Sequence, residues 1–185
     1  MPSDVSKLLN ALGLLAVGAL LVLAFADQLW FRDLPCPLCI LQRAAFIAGG
    51  FGLVLNLLFG PRPSHYGVII LGASLGAAMS IRQILLHIVP GTGSYGEAIF
   101  GLHLASWAFI AFALMIVGSA LMLLNDRQFG RPEPWSSRLS VLPLTALVVF
   151  AAVVAGNIVS TLLLCGIWFC PDNPTQHFLF GGTPG

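Results

Sequence analysis

Along the chain, apolar residues gather in five long runs, and the short stretches between them collect most of the prolines and charges. The runs cover about residues 8–28, 40–59, 67–88, 102–124 and 139–164. A helix needs roughly 20 consecutive apolar residues to cross the hydrocarbon core of a bilayer, and charges mark where such a helix must stop. Asn125-Asp126 follows the fourth run, and Cys170-Pro171-Asp172 follows the fifth. The pattern predicts an all-α integral membrane protein: a single helical bundle with five crossings, a loop at 29–39 and a tail at 165–185. No internal repeat, soluble domain or low-complexity linker interrupts it.

Composition agrees with a bilayer setting. Of 185 residues, 58% are hydrophobic and 8% charged, a balance that a soluble domain would have to bury almost everywhere. The formal net charge is +1, and Lys7 with the arginines forms no basic stripe, which excludes the phosphate neutralisation a nucleic-acid partner requires. Charge placement also gives an orientation. With the N-terminus inside, Lys7, Arg62, Arg127, Arg131 and Arg138 fall in inner segments, whereas Arg32 stands outside with Asp33 beside it. Loop 29–39, loop 89–101 and the tail then share the outer face. Trp30, Phe31, Trp107, Trp168 and Phe169 near that face, and Trp135 near the other, suit interfacial belts. Ala24-Phe25-Ala26 resembles a signal-peptide cleavage site, but the apolar run before it exceeds the usual h-region, so an uncleaved first helix is expected.

All four cysteines, Cys36, Cys39, Cys165 and Cys170, map to the outer side. Four cysteines allow three connectivities, of which Cys36 with Cys39 and Cys165 with Cys170 is the simplest. A Cys-X-X-Cys ring closes so short a loop that it adds little chain-entropy stabilisation and suits exchange better than stapling. A zinc site is the other reading, yet the second pair is Cys-X4-Cys and the usual doubled Cys-X2-Cys spacing is absent. No metal site is expected.

Pro37 suits the first turn of the second helix, which places Cys39 near that helix's N-terminus, where N–H groups and the dipole favour a thiolate. Arg43 follows Cys39 by four residues, one turn deeper on the same face. A cation there can hold thiolate charge and donate hydrogen bonds to a carbonyl oxygen in the membrane. Snorkelling to headgroups would explain an isolated arginine, but not its place beside a Cys-X-X-Cys.

With "CPLCILQR", "ILLHIVPG" closing the third helix and "GLHLASWAF" opening the fourth, the chain resembles the DsbB-type membrane thiol oxidases. The resemblance covers a four-helix core, about residues 8–124, and leaves the fifth helix as an addition. It implies that Cys36–Cys39 is the quinone-proximal pair, that Cys39 passes electrons through a thiolate–quinone interaction, that Arg43 helps to hold the quinone, and that Cys36 exchanges with the second pair. It further implies ubiquinone or menaquinone as acceptor, a DsbA-like periplasmic thioredoxin-fold protein as partner, and residence in the bacterial inner membrane with all four cysteines periplasmic. A partner poised near about −120 mV needs a strong acceptor, because each 30 mV of adverse two-electron potential costs about 1.4 kcal/mol. In the best-known members of that family the second pair lies between helices three and four. Here "PGTGSYGEAIFG" is short and lacks cysteine, while "CGIWFCPDNP" follows the fifth helix. The odd number of crossings returns that tail to the outer face, so Cys165 and Cys170 are expected to exchange with the soluble partner.

Arg82 and His87 sit on the outer part of the third helix and are candidates for contacting a quinone or for its protonation, since ionisable groups inside a membrane are functional candidates by default. Snorkelling is the competing role for Arg82. His103 reads as an interface residue, Asp27 and Asp33 as marks of solvent exposure. Gly72 with Gly76, and Asn157 with Ser160, read as helix-packing contacts. Two other functions fit the cysteines less well: a non-enzymatic scaffold or transport component with structural disulfides or zinc, and a vitamin K epoxide reductase-like enzyme. The arginine spacing and "GLHLASW" favour the DsbB-like reading over both.

Overall fold

The computed structural model describes residues 3–30, 36–86, 88, 100–129 and 141–165, with side chains from residue 5 onward except at 29, 30 and 127. Five helices follow in order: α1 (Ser3–Trp30), α2 (Pro37–Phe59), α3 (Pro63–Leu86), α4 (Leu104–Leu123) and α5 (Val141–Cys165), with a 3-10 turn at Asp126–Gln128 after α4. Each of the five is long and apolar enough to cross a membrane, and no strand occurs among the described residues.

The first three helices begin earlier than their apolar runs. α1 reaches back to Ser3, α2 starts at Pro37 and α3 at Pro63, because hydropathy marks the lipid-embedded stretch while backbone chemistry sets the helix end. Proline at a helix start gives up only an N–H that has no intrahelical partner anyway. α2 stops at Gly60, whose φ of 82° is a conformation that a residue without Cβ adopts freely. Residues 60–62 then turn the chain directly into α3.

α1 packs on α5 and α2, α2 on α3, and α3 on α4. Ala11, Leu14, Val17 and Leu21 of α1 form the core with Phe46 of α2, Phe112 of α4 and Phe150 of α5, and the Phe46 and Phe112 rings stack with centroids 3.9 Å apart. Leu71, Leu75, Leu114, Leu121 and Val148 point outward, a surface suited to acyl chains and unsuited to water.

Lipid tails are as apolar as leucine, so close backbone approach and polar contacts must hold such helices together. Gly72 supplies the closest approach. A Cβ there would meet the Gly49 backbone nitrogen at 2.8 Å, and Gly76 one turn on lies under the Phe112 ring. Gly72→Val should therefore cost roughly 1–3 kcal/mol, read as a lower thermal unfolding midpoint in detergent. Gly67→Ala, where a Cβ meets nothing within 4 Å, is the control; equal midpoints for the two variants would contradict the packing assigned to Gly72.

Buried polar side chains concentrate at the two ends of the bundle. At one end Asn56 donates to Asn10 at 2.9 Å, Asn10 donates to the Tyr66 hydroxyl at 3.1 Å, and Tyr66 and Ser6 both donate to Gln128 Oε1. His65 Nδ1 lies 3.1 Å from Asn56 Oδ1. This set ties α1, α2, α3 and the turn after α4 together. The other end holds the cysteines.

Candidate redox site

Cys36 is the N-cap of α2, with φ −65° and ψ 160°, and its Sγ accepts the Cys39 backbone N–H at 3.3 Å. Pro37 occupies the first helical turn, so the two sulfurs stand at the helix start where unpartnered N–H groups collect. Both are free thiols, Cys36 buried and Cys39 half-buried. A hydrogen bond with the Cys39 side chain, followed by burial, pushes the Cys36 thiol well above the usual thiol range, so Cys36 keeps its proton at neutral pH.

A glutamine of α3 completes the sulfur environment. Gln83 Nε2 lies 3.5 Å from Cys39 Sγ and 3.7 Å from Cys36 Sγ, one amide donor shared by two sulfurs. Its Oε1 accepts from Gln42 Nε2 at 2.7 Å, which fixes the amide with its NH2 toward the thiols. Both glutamines are buried. Sequence reading missed this pair because it singled out the charged neighbour, Arg82. The available signal was a pair of amides within apolar helices, a costly placement unless each finds a partner.

Arg43 lies one turn below Cys39, and its guanidinium is anchored to α1. Nη1 donates to Gln28 Oε1 at 2.9 Å and Nη2 to the Ala24 carbonyl at 2.6 Å. Gln28 Nε2 in turn donates to Ser160 Oγ of α5 at 3.0 Å. The arginine is thus positioned by two other helices, and its charge still acts on Cys39, Asp27 and Cys36. Asp27, expected from the sequence to mark solvent exposure, is half-buried within that field.

Beside Arg43, α2 and α5 leave a groove of about 220 Å³ lined by Ile40, Arg43, Ala44, Ile47, Asn157 and Ile158 among others. Cys165 ends α5, is buried and is disulfide-bonded, its partner lying outside the described residues. Arg82 is exposed on α3, about 100° around the helix from Gln83. His103, the N-cap of α4, is exposed as well. His87, Asp33 and Cys170 lie outside the described residues.

The family model for the disulfide bond formation protein DsbB matches residues 6–94, a stretch containing α1, α2, α3, both free thiols, Arg43 and Gln83. Disulfide bond formation protein B of Xanthomonas euvesicatoria is 39% identical over 84 residues, 43% of this chain and 49% of that protein. The protein of the same name from Marinobacter nauticus is 28% identical over 166 residues, covering 70% of this chain and 97% of the relative. Over residues 6–94, then, this chain is similar to the DsbB family. A third such relative, from Burkholderia thailandensis, is 29% identical over 157 residues, 65% of this chain and 90% of its own length. Against the Xanthomonas relatives the chain spans only about half of their length. No solved structure matches. The DsbB family match ends before α4 and leaves α5 and Cys165 outside it.

Proposed function

We propose that this protein is a DsbB-type thiol oxidase of the bacterial inner membrane that reoxidises a DsbA-like periplasmic thioredoxin-fold protein and delivers the electrons to a membrane quinone. The observation that carries the reading is the shared location of two thiols, an amide donor facing both sulfurs and a half-buried arginine at the edge of a mostly apolar groove.

The steps balance as disulfide exchange. The partner dithiol reduces the Cys165–Cys170 disulfide and leaves oxidised. One tail thiolate then attacks Cys36 Sγ of the Cys36–Cys39 disulfide, and Cys39 departs as the thiolate. The second tail cysteine attacks the resulting mixed disulfide, which restores the tail disulfide and leaves Cys36 and Cys39 reduced. When the Cys36–Cys39 disulfide forms again, the pair releases two electrons and two protons. Gln83 suits this traffic because its NH2 faces both sulfurs and can follow negative charge from one to the other.

A quinone supplies the terminal two-electron acceptor. The residues present fit one: the groove is mostly apolar, as an isoprenoid-tailed ligand requires, and Arg43 offers N–H donors for a carbonyl oxygen. Arg43→Met should raise the KM for a short-tailed ubiquinone about ten- to a hundredfold, the loss expected for a charged hydrogen bond of about 1.5–3 kcal/mol. Disulfide exchange with the protein partner, followed with quinone withheld, should be unchanged. An unaltered KM would remove Arg43 from the quinone site.

A further inference from the structure

One buried polar atom remains unexplained by helix packing or by the thiol chemistry. Asn157 on α5 is 4% exposed and lines the groove that Arg43 faces. Its Nδ2 donates to the Val153 carbonyl at 2.9 Å, while its Oδ1, sealed from solvent, has no hydrogen-bond partner among the described residues. The Val153 bond fixes the amide orientation, since the flipped form would set oxygen against oxygen. An unmet buried acceptor costs about 1–3 kcal/mol, more than an ordinary packing contact between helices returns.

The groove lies at one depth on both of its walls. Arg43 is six residues into α2 and Asn157 eight residues before the end of α5, which places them about 9 and 12 Å from the cysteine end at 1.5 Å per residue. Arg43 and Asn157 thus stand at similar depth on opposite walls, and a ligand O–H meets the covered Oδ1 when the Asn157 amide turns toward the groove. An oxidised quinone carries only acceptor oxygens and satisfies Arg43 alone. A hydroquinone carries hydroxyl groups, each able to donate.

Building on the proposed quinone reaction, we infer that Asn157 is a binding residue for the reduced product: its Oδ1 accepts a hydroquinone O–H, so the fifth helix makes the groove select quinol over quinone. Asn157 is thereby assigned a ligand, beyond the helix-packing role its sequence position suggests. The matched family region ends at residue 94, so this acceptor belongs to the part of the chain outside that match.

The test uses full-length protein in nanodiscs with Cys36→Ser and Cys39→Ser, so that neither form of the probe reacts, and decyl-ubiquinol and decyl-ubiquinone as probes. Equilibrium binding should show quinol held more tightly than quinone. Asn157→Leu should weaken quinol binding about three- to tenfold, the range for one hydrogen bond, and leave quinone binding within twofold. Asn157→Thr should keep the preference, because its hydroxyl can donate to the i−4 carbonyl and still accept. A lower amide-carbonyl infrared frequency of labelled asparagine on adding quinol, absent with quinone, is the second readout. Equal affinities in the parent protein, or an Asn157→Leu variant that changes both affinities alike or neither, would overturn the assignment while wild-type quinone reduction continued. Failure of either probe to bind, together with no quinone reduction by wild type, would remove the quinone reading and this inference with it.

Discussion

Cys36→Ser and Cys39→Ser each lose dithiol-driven quinone reduction by at least about a thousandfold, since the million-fold and larger accelerations typical of enzymes vanish when a reacting atom is replaced. Serine preserves the shape of the α2 N-cap and the helix start, so the loss reports chemistry and not folding. The two variants differ in what they trap. With Cys39 replaced, Cys36 no longer carries a disulfide for the tail to attack. Its own thiolate can attack the Cys165–Cys170 disulfide, forming a mixed disulfide with one tail cysteine and releasing the other as the thiolate, and no Cys39 is present to resolve it. With Cys36 replaced, no such species forms if exchange with the tail belongs to Cys36 and not to Cys39. Peptide mapping under non-reducing conditions distinguishes them, and turnover within tenfold of wild type in either variant would contradict the roles assigned to this pair.

The paired change Cys165→Ser with Cys170→Ser produces the second large effect, and it depends on the reductant. Reduced DsbA-type partner should drive turnover roughly a thousandfold more slowly, because a tethered pair presents itself at an effective concentration of about millimolar against a partner present at micromolar levels. A small dithiol such as dithiothreitol can diffuse to Cys36 without the tail, and its rate should fall only a few-fold. Equal losses with both reductants would mean that the tail pair supports the fold and does not relay electrons.

Much of this architecture is legible from one dimension. Five apolar runs of spanning length give five helices, since a bilayer leaves an exposed backbone no other means of satisfying its N–H and C=O groups. The Cys-X-X-Cys and the arginine four residues on are equally readable, because both relations lie within one helix and its fixed period. The contacts between helices are not. Arg82 and Gln83 are adjacent in sequence, and charge makes Arg82 the natural candidate; the rotation of α3 sends Arg82 outward and brings Gln83 to the sulfurs. Arg43 is readable as a cation one turn from Cys39, and its charge does act there, but its hydrogen bonds to Gln28 and Ala24 of α1, with Ser160 of α5 behind them, are set by other helices. Asn157 and Ser160 share a face of α5, yet one is bonded across the bundle and the other carries an unmet oxygen. No pattern along the chain separates two residues whose difference lies in a neighbouring helix.

The proposed reaction is a stoichiometric transfer of two electrons from a soluble dithiol to a membrane quinone. Its most direct test follows anaerobic absorbance of ubiquinone with purified wild-type protein and reduced DsbA-type partner, alongside Cys39→Ser. One quinol formed for each partner disulfide, and none in the variant, is the predicted result. Partner oxidation without quinol formation, or no turnover with either ubiquinone or menaquinone, would contradict it.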